Sequence, residues 1–266
     1  MNFVRAFLAD LAACLRFYSR IPVPALPFET DPHAMPDFRT AVRALPLAGA
    51  IIGTTAAAVL LLSTLLQLPA PFAAALTLAA LVRVTGAFHE DGLADTADGF
   101  GGGATRERKL DIMKDSRIGT YGGAALVLSL ILRWQAISFL LSTSGDDMAA
   151  WALISVAALS RTVALMPLSM LPPARDDGAA WRAGKPDAAA LAIAAILAMG
   201  LAFLPVLAGA STRQCALSII FASAAAAFVT RLSRRHIGGQ TGDVSGAAQQ
   251  MAEIAAFTAF LIGSHV

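Results

Sequence analysis

The sequence predicts an all-α protein: a polytopic integral membrane helix bundle of six to seven transmembrane helices, preceded by an N-terminal amphipathic helix. Three observations carry this. Hydrophobic residues make up 57% of the 266 residues and charged residues only 14%, against about 25% charged in an average soluble domain. Mean hydropathy is +0.66. Long apolar stretches alternate with short charged ones, as they must when about 20 residues at 1.5 Å each cross about 30 Å of hydrocarbon.

Residues 1–18 read as the amphipathic helix. Phe3, Phe7, Leu11, Cys14 and Leu15 share a face, with Arg5 and Arg16 elsewhere, a pattern suited to the membrane interface. Asp10 interrupts the apolar run and no small-residue cleavage site follows, so a signal peptide is not expected. Pro22, Pro24 and Pro27 end the helix, and a polar stretch runs to Arg43. Apolar segments then follow at roughly 44–66, 71–88, 119–141, 149–171, 188–208, 214–230 and 247–263. The second and sixth are short and the seventh starts with polar residues, hence six or seven spans. Small-residue runs such as Gly49–Ala50 and Ala224–Ala227 suit close helix packing in lipid. The whole of 1–266 reads as one membrane-embedded domain, with a cytoplasmic loop at about 89–118.

Lysine and arginine set the orientation. Arg39 and Arg43 precede the first span. Arg106, Arg108, Lys109, Lys114 and Arg117 follow the second, Arg175, Arg182 and Lys185 the fourth, and Arg231, Arg234 and Arg235 the sixth. The alternate loops are nearly bare, so all basic loops are expected in the cytoplasm. Net charge is +2, which argues against nucleic acid as a partner. Two cysteines without a Cys/His cluster argue against disulfide, zinc and iron–sulfur frameworks.

Seven of the 18 acidic residues lie in 89–117: Glu90, Asp91, Asp95, Asp98, Glu107, Asp111 and Asp115. Asp91, Asp95 and Asp98 are spaced i, i+4, i+7, which places them on one face of a helix. Three ionised carboxylates on one face call for a cation, and oxygen-only ligands select Mg²⁺ or Mn²⁺ over zinc. Asp111 and Asp115 repeat the i, i+4 spacing. Gly99-Phe-Gly-Gly-Gly between the two groups reads as a hinge whose bare backbone can approach a ligand. Arg106, Arg108, Lys109, Lys114 and Arg117 supply the charge that phosphate oxygens need. Carboxylates, divalent cation and basic residues together are the parts of phosphoryl transfer. The competing reading is a solvated helix with stabilising ion pairs, which is preferred for Glu107. His89-Glu90 is no zincin motif, because position 93 is leucine.

Arg161 and Arg133 lie inside apolar segments, where a charge is expensive. Each is expected to be paired in the bundle or to line a polar cavity, with snorkelling to an interface suiting Arg133 better. In Gly238-Gly-Gln-Thr-Gly-Asp-Val-Ser-Gly, Asp243 begins a helix that carries Gln249, Gln250 and Glu253 inward. A helix-cap role is the alternative for Asp243.

The run Phe88-His-Glu-Asp-Gly-Leu-Ala-Asp-Thr-Ala-Asp-Gly-Phe, followed by Ile112-Met-Lys-Asp-Ser-Arg-Ile-Gly-Thr-Tyr-Gly, resembles the cobalamin synthase family. Ser19-Arg-Ile-Pro-Val-Pro, Leu45-Pro-Leu, Leu159-Ser-Arg-Thr and Thr241-Gly-Asp-Val-Ser-Gly-Ala fit in the same order. The resemblance implies a single transferase domain in the inner membrane. It would join adenosylcobinamide-GDP to α-ribazole or α-ribazole 5′-phosphate, releasing GMP, with Mg²⁺ as cofactor. Membrane lipid is the further partner implied, and a homo-oligomeric copy is left open. On this reading Asp91, Asp95 and Asp98 hold the metal. Asp111, Lys114, Asp115 and Arg117 do the chemistry, with Asp115 as general base. His89, Arg106, Arg108, Arg161, Asp243 and Glu253 contact substrate. A partial resemblance to the CDP-alcohol phosphotransferases rests on Asp91-Gly-Leu-Ala and the Asp111/Asp115 spacing. Asp95 stands where that pattern has arginine and Phe88 where it has aspartate, which disfavours a CDP-alcohol substrate. A transporter is the other alternative, but it leaves the charged cluster in the loops unexplained.

Overall fold

A computed structural model describes residues 3–29 and 31–262, and these are helical with no strand among them. In chain order the helices are α1 (Phe3–Tyr18), α2 (Leu45–Leu65), α3 (Ala70–Thr85), α4 (Phe88–Gly102), α5 (Arg106–Ile112), α6 (Thr120–Ser144) and α7 (Asp146–Val163). Then come α8 (Met166–Met170), α9 (Gly178–Ala183), α10 (Ala188–Ala202), α11 (Thr212–Ile237) and α12 (Gly242–Leu261). Short 3-10 turns precede α2 and follow α10. Among the described residues five segments, containing α2, α6, α7, α10 and α11, are long and apolar enough to cross a membrane; α3 and α4 pass the same test only as a pair, bent by 87° at the break between them, a broken span or a re-entrant loop. The bend falls within two residues of the expected end of the second apolar segment, at 88. Gly86 and Ala87 both take left-handed φ, +66° and +58°, which ends α3 and turns the chain.

The bundle is held by backbone-to-backbone contacts that only small residues allow. A Cβ on Gly49 would stand 2.7 Å from the Ala157 carbonyl oxygen, and one on Gly53 2.8 Å from Ile154 Cα, so α2 lies directly on α7. Ala222 and Ala226 of α11, and Ala248, Ala252 and Ala256 of α12, are fully buried where the bundle closes around α12.

The two ends of the bundle differ in charge. At one end the short connections meet: Thr64 of α2 reaches Asp146 of α7 at 3.4 Å, and Gln214 of α11 donates to the Phe260 carbonyl of α12. The other end gathers the basic segments, as the alternating loops required. Arg106 donates to the carbonyls of Ile237 and Ala174 at 2.8 and 2.6 Å, tying α5 to the end of α11. Pro172 and Ala174 exchange backbone bonds with Gln240. At this end α1 is pinned too. Arg43 pairs with Asp10 at 2.6 Å, and Arg16 holds Glu29 together with the carbonyls of Val23, Pro24 and Pro32. Those bonds fix the proline-rich segment against the helix.

The segment 89–118 is only in part a loop. α4 starts deep in the bundle, where His89 and Glu90 are buried, and rises to the basic end alongside α6. The glycine run is not a hinge. Gly99 to Gly102 continue α4; Gly99 makes room for Met113, and Gly101 lets the Tyr121 ring lie on the backbone.

Candidate active site

The site begins at the crossing of α4 and α12. A Cβ on Gly92 would stand 2.8 Å from the Asp243 carbonyl oxygen, and one on Gly246 3.2 Å from Gly92 Cα. Two glycines therefore bring one helix onto the other, backbone against backbone. This contact sets Asp91 and Asp95, one turn apart on α4, beside Asp243 in the first turn of α12. Asp91 is exposed, while Asp95 and Asp243 are partly buried. Asp95 lies within electrostatic reach of Asp91, Asp243 and Asp98, and Arg175 is the cation that faces it. Arg175 donates to Asp243 Oδ2 at 2.9 Å. Thr241 donates to the same oxygen and caps α12 by accepting from Val244 N–H, so the cap is Thr241 and Asp243 is turned to the site. Beside the pair opens a polar pocket lined by Met113, Arg175, Asp177, Trp181, Thr241 and Asp243.

Asp98 shares the face of Asp91 and Asp95, as its spacing required, but its oxygens are taken. They accept the N–H groups of Gly119 and Gly122 at 2.6 and 2.8 Å. Asp98 thus closes the start of α6, where free N–H groups and the helix dipole favour a carboxylate. This occupation departs from the expected ligand role. Among the described residues no group of three His, Cys, Asp or Glu side chains converges closely enough to hold a metal ion by itself.

The basic residues divide. Arg106 is spent on carbonyls, as described, and Lys109 is buried on the Gly103 carbonyl at 2.6 Å. Lys114 pairs with Asp177 at 2.7 Å and Arg117 with Asp115 at 2.7 Å, both at the surface. The hydrogen bonds from Arg117 hold the Asp115 carboxyl down to about 2. A carboxylate that acidic is a weak proton acceptor, which counts against Asp115 as the base. Asp111 and Arg108 are exposed on α5, and Arg108 acts on Asp115 through its charge.

Under the crossing lies a buried polar network that the sequence only partly signalled. Arg133 of α6 is 1% exposed and binds Glu90 at 2.9 Å and Glu253 at 3.1 Å. It does not snorkel. Gln250 joins Ser129 of α6 to Glu90, and Gln249 joins Ser160 of α7 to Glu253. Glu253, expected to contact substrate, is therefore a central strut between helices. Arg161 is the odd member: buried, among the described residues it donates only to the Ala157 carbonyl of its own helix, and its Nε meets no partner there. His89 is buried beside it, stacked on Tyr18. Sequence reasoning missed Arg175 as a site residue and Glu90 as the partner of Arg133. The charge cluster Ala174-Arg-Asp-Asp was visible, but nothing in it indicated that α8 and α9 bring it to Asp243.

Comparison with known proteins agrees along the chain. The family described as cobalamin-5-phosphate synthase matches residues 10–261. The adenosylcobinamide-GDP ribazoletransferase of Azorhizobium caulinodans is 51% identical over 256 residues, covering 96% of this chain and 95% of that protein. Those of Xanthobacter autotrophicus and Sinorhizobium medicae are 47% and 45% identical, covering 96% and 98% of this chain and 94% and 99% of their own lengths. No solved structure matches the chain.

Proposed function

Because the chain belongs to the cobalamin-5-phosphate synthase family, we propose that it acts as an adenosylcobinamide-GDP ribazoletransferase, the final step of cobalamin synthesis, at the α4–α12 crossing. A ribazole hydroxyl attacks the cobinamide-side phosphorus of the donor diphosphate. A new phosphate ester forms, the bond to the bridging oxygen breaks, GMP leaves, and the hydroxyl proton passes to a carboxylate. The observation that carries this reading is the contact of Gly92 with Asp243 and Gly246, which gathers acids from two helices beside one arginine at the basic end.

A diphosphate cannot approach Asp91, Asp95 and Asp243 without a cation between them. Mg²⁺ fits this donor set, since it is commonly bound by one or two carboxylates plus substrate phosphates and needs no complete protein cage. Asp91 and Asp95 would hold it, with Asp243 alongside; bound there, it would neutralise charge on the diphosphate. Asp98 is left out of the set because α6 occupies it. Asp115 is a poor base for as long as Arg117 pairs with it, and Asp91 and Asp95 are given to the metal, so the proton falls to the exposed Asp111. Arg175 stands ready for a phosphate oxygen. Lys114 and Arg117 sit in surface ion pairs, which are worth about 0–1 kcal/mol, so turning toward a phosphate costs them little. We place the basic end in the cytoplasm and the bundle in the inner membrane, on the lysine and arginine distribution.

The test is product formation by purified protein in nanodiscs from adenosylcobinamide-GDP and α-ribazole 5′-phosphate, read by mass spectrometry with and without EDTA. We expect an adenosylcobalamin-phosphate mass with matching GMP, lost on chelation and lost in Asp91→Asn. Undiminished product in EDTA would remove the metal, and undiminished product in Asp91→Asn would remove the site.

A further inference from the structure

A second cavity opens at the same end and is not used by the chemistry above. Phe17 and Tyr18 at the end of α1, Phe38, Phe88 and His89 at the start of α4, and Arg161 of α7 line it. The rings are packed edge to face, with Phe17 5.3 Å from Phe38 and 5.5 Å from Phe88. The Tyr18 and His89 planes are parallel at 5.9 Å. Arg161 is 2% exposed. Its neighbour Arg133 takes the direct bonds of Glu90 and Glu253, and those carboxylates act on Arg161 only through their charge. A guanidinium offers five N–H donors. Among the described residues a single bond, to its own helix, leaves most of them for a ligand in the cavity.

We propose that this cavity, about 70 Å³ as it stands, is the acceptor site once its rings part: the flat base of ribazole enters among the rings, with its 5′-phosphate, when present, on Arg161. The proposal rests on the ribazoletransferase reading. Three features argue for it. Gln240 and Gly242 line both this cavity and the polar pocket of Arg175 and Asp243, so a riboside seated here has its sugar next to the carboxylates. Gly246, which makes the α4–α12 crossing, also lines the cavity. Finally, the walls are mostly rings and aliphatic chains. The guanine of the donor carries donors and acceptors on its edges that such walls would leave unpaired, whereas a benzimidazole base presents a largely apolar edge that stacks well.

The experiment measures acceptor KM in nanodiscs at saturating adenosylcobinamide-GDP, for α-ribazole 5′-phosphate and for α-ribazole. Arg161→Gln should raise the KM of the phosphorylated acceptor roughly 10- to 100-fold, the range of a lost charge-assisted hydrogen bond, and move that of α-ribazole far less. Arg161→Lys should fall between. Phe88→Ala, at a position already 41% exposed and so safe for folding, should raise both acceptor KM values and leave the donor KM alone. Equal shifts for the two acceptors in Arg161→Gln, or an unchanged acceptor KM in Phe88→Ala, would overturn the acceptor site while leaving the ribazoletransferase reading intact. Wild-type protein that converts neither acceptor would overturn both.

Discussion

Gly92→Ala is the sharpest perturbation of the proposed site, because it adds one methyl group and no charge. The new Cβ would sit 2.8 Å from the Asp243 carbonyl oxygen and 3.1 Å from Asp243 Cα, whereas ordinary contact begins near 3.4 Å. Both neighbours are backbone, so no side-chain rotation relieves the clash, and α4 and α12 must part by about 0.6 Å at this point. Overpacking of this kind costs about 1–3 kcal/mol of stability. The larger effect should be on turnover. The displacement moves Asp91 and Asp95 relative to Asp243 and Arg175, and a misplacement near 1 Å can cost about 10²-fold in rate. We expect kcat for adenosylcobalamin-phosphate formation to fall by about one to two orders of magnitude, with nanodisc incorporation and helical circular dichroism preserved. Gly200→Ala on α10 is the control: a Cβ there meets nothing within 4 Å, and activity should be unchanged. Wild-type kcat in Gly92→Ala would refute the idea that this crossing positions the reacting groups.

Three further outcomes follow from the described contacts. Arg133→Met strips Glu90 and Glu253 of their shared cation; leaving buried charges unpaired costs about 3–5 kcal/mol, so thermal unfolding in nanodiscs should drop by many degrees, and an unchanged Tm would contradict the strut. Asp98→Asn keeps one acceptor for two N–H donors and should lose about 0.5–2 kcal/mol, the range of a helix cap. Its Mg²⁺ requirement for half-maximal rate should stay wild type while that of Asp95→Asn rises; a shared rise would return Asp98 to the metal. Asp115 has its carboxyl depressed to about 2 by Arg117, so it is ionised throughout the neutral range and gains a proton only as pH falls toward that value. Asp115→Asn should therefore leave the acid limb of the pH–rate profile in place, and loss of that limb would make Asp115 the base after all.

Much of the architecture was legible because membrane solvent constrains a chain so strongly. Hydropathy located the apolar helices, and arginine and lysine placement separated the two ends. Helical spacing put Asp91, Asp95 and Asp98 on one face, and so they lie. Four things escaped. The turn at Gly86–Ala87 lies at the end of an apolar segment, as expected, but its sharpness rests on two left-handed residues of which periodicity gives no sign. Asp98 was assigned by spacing, yet its role depends on Gly119 and Gly122, which only the return of the chain brings near. The pairing of Arg133 inside the bundle is as expected, but its partners escaped, because Glu90 and Glu253 lie 43 and 120 residues away. Pairing across such distances is a property of the assembled bundle and leaves no local pattern. Arg175 escaped for the same reason, its charge being one among several in a loop.

The polarity of α12 has a consequence for how the protein is made. With Asp243, Gln249, Gln250 and Glu253 along its length, α12 is absent from the helices apolar enough to cross lipid unaided, and central charges and amides oppose release from the translocon. Its polar face is matched by Ser129 and Arg133 of α6, Ser160 of α7, Glu90 of α4 and, at its first turn, Arg175. We therefore expect α12 to enter by docking into helices already in place. A ribosome that stopped before residue 242 would leave an inserted bundle with Arg133 holding only one of its carboxylates and no Asp243 opposite Gly92. Docking of α12 and assembly of the proposed site would then be one step.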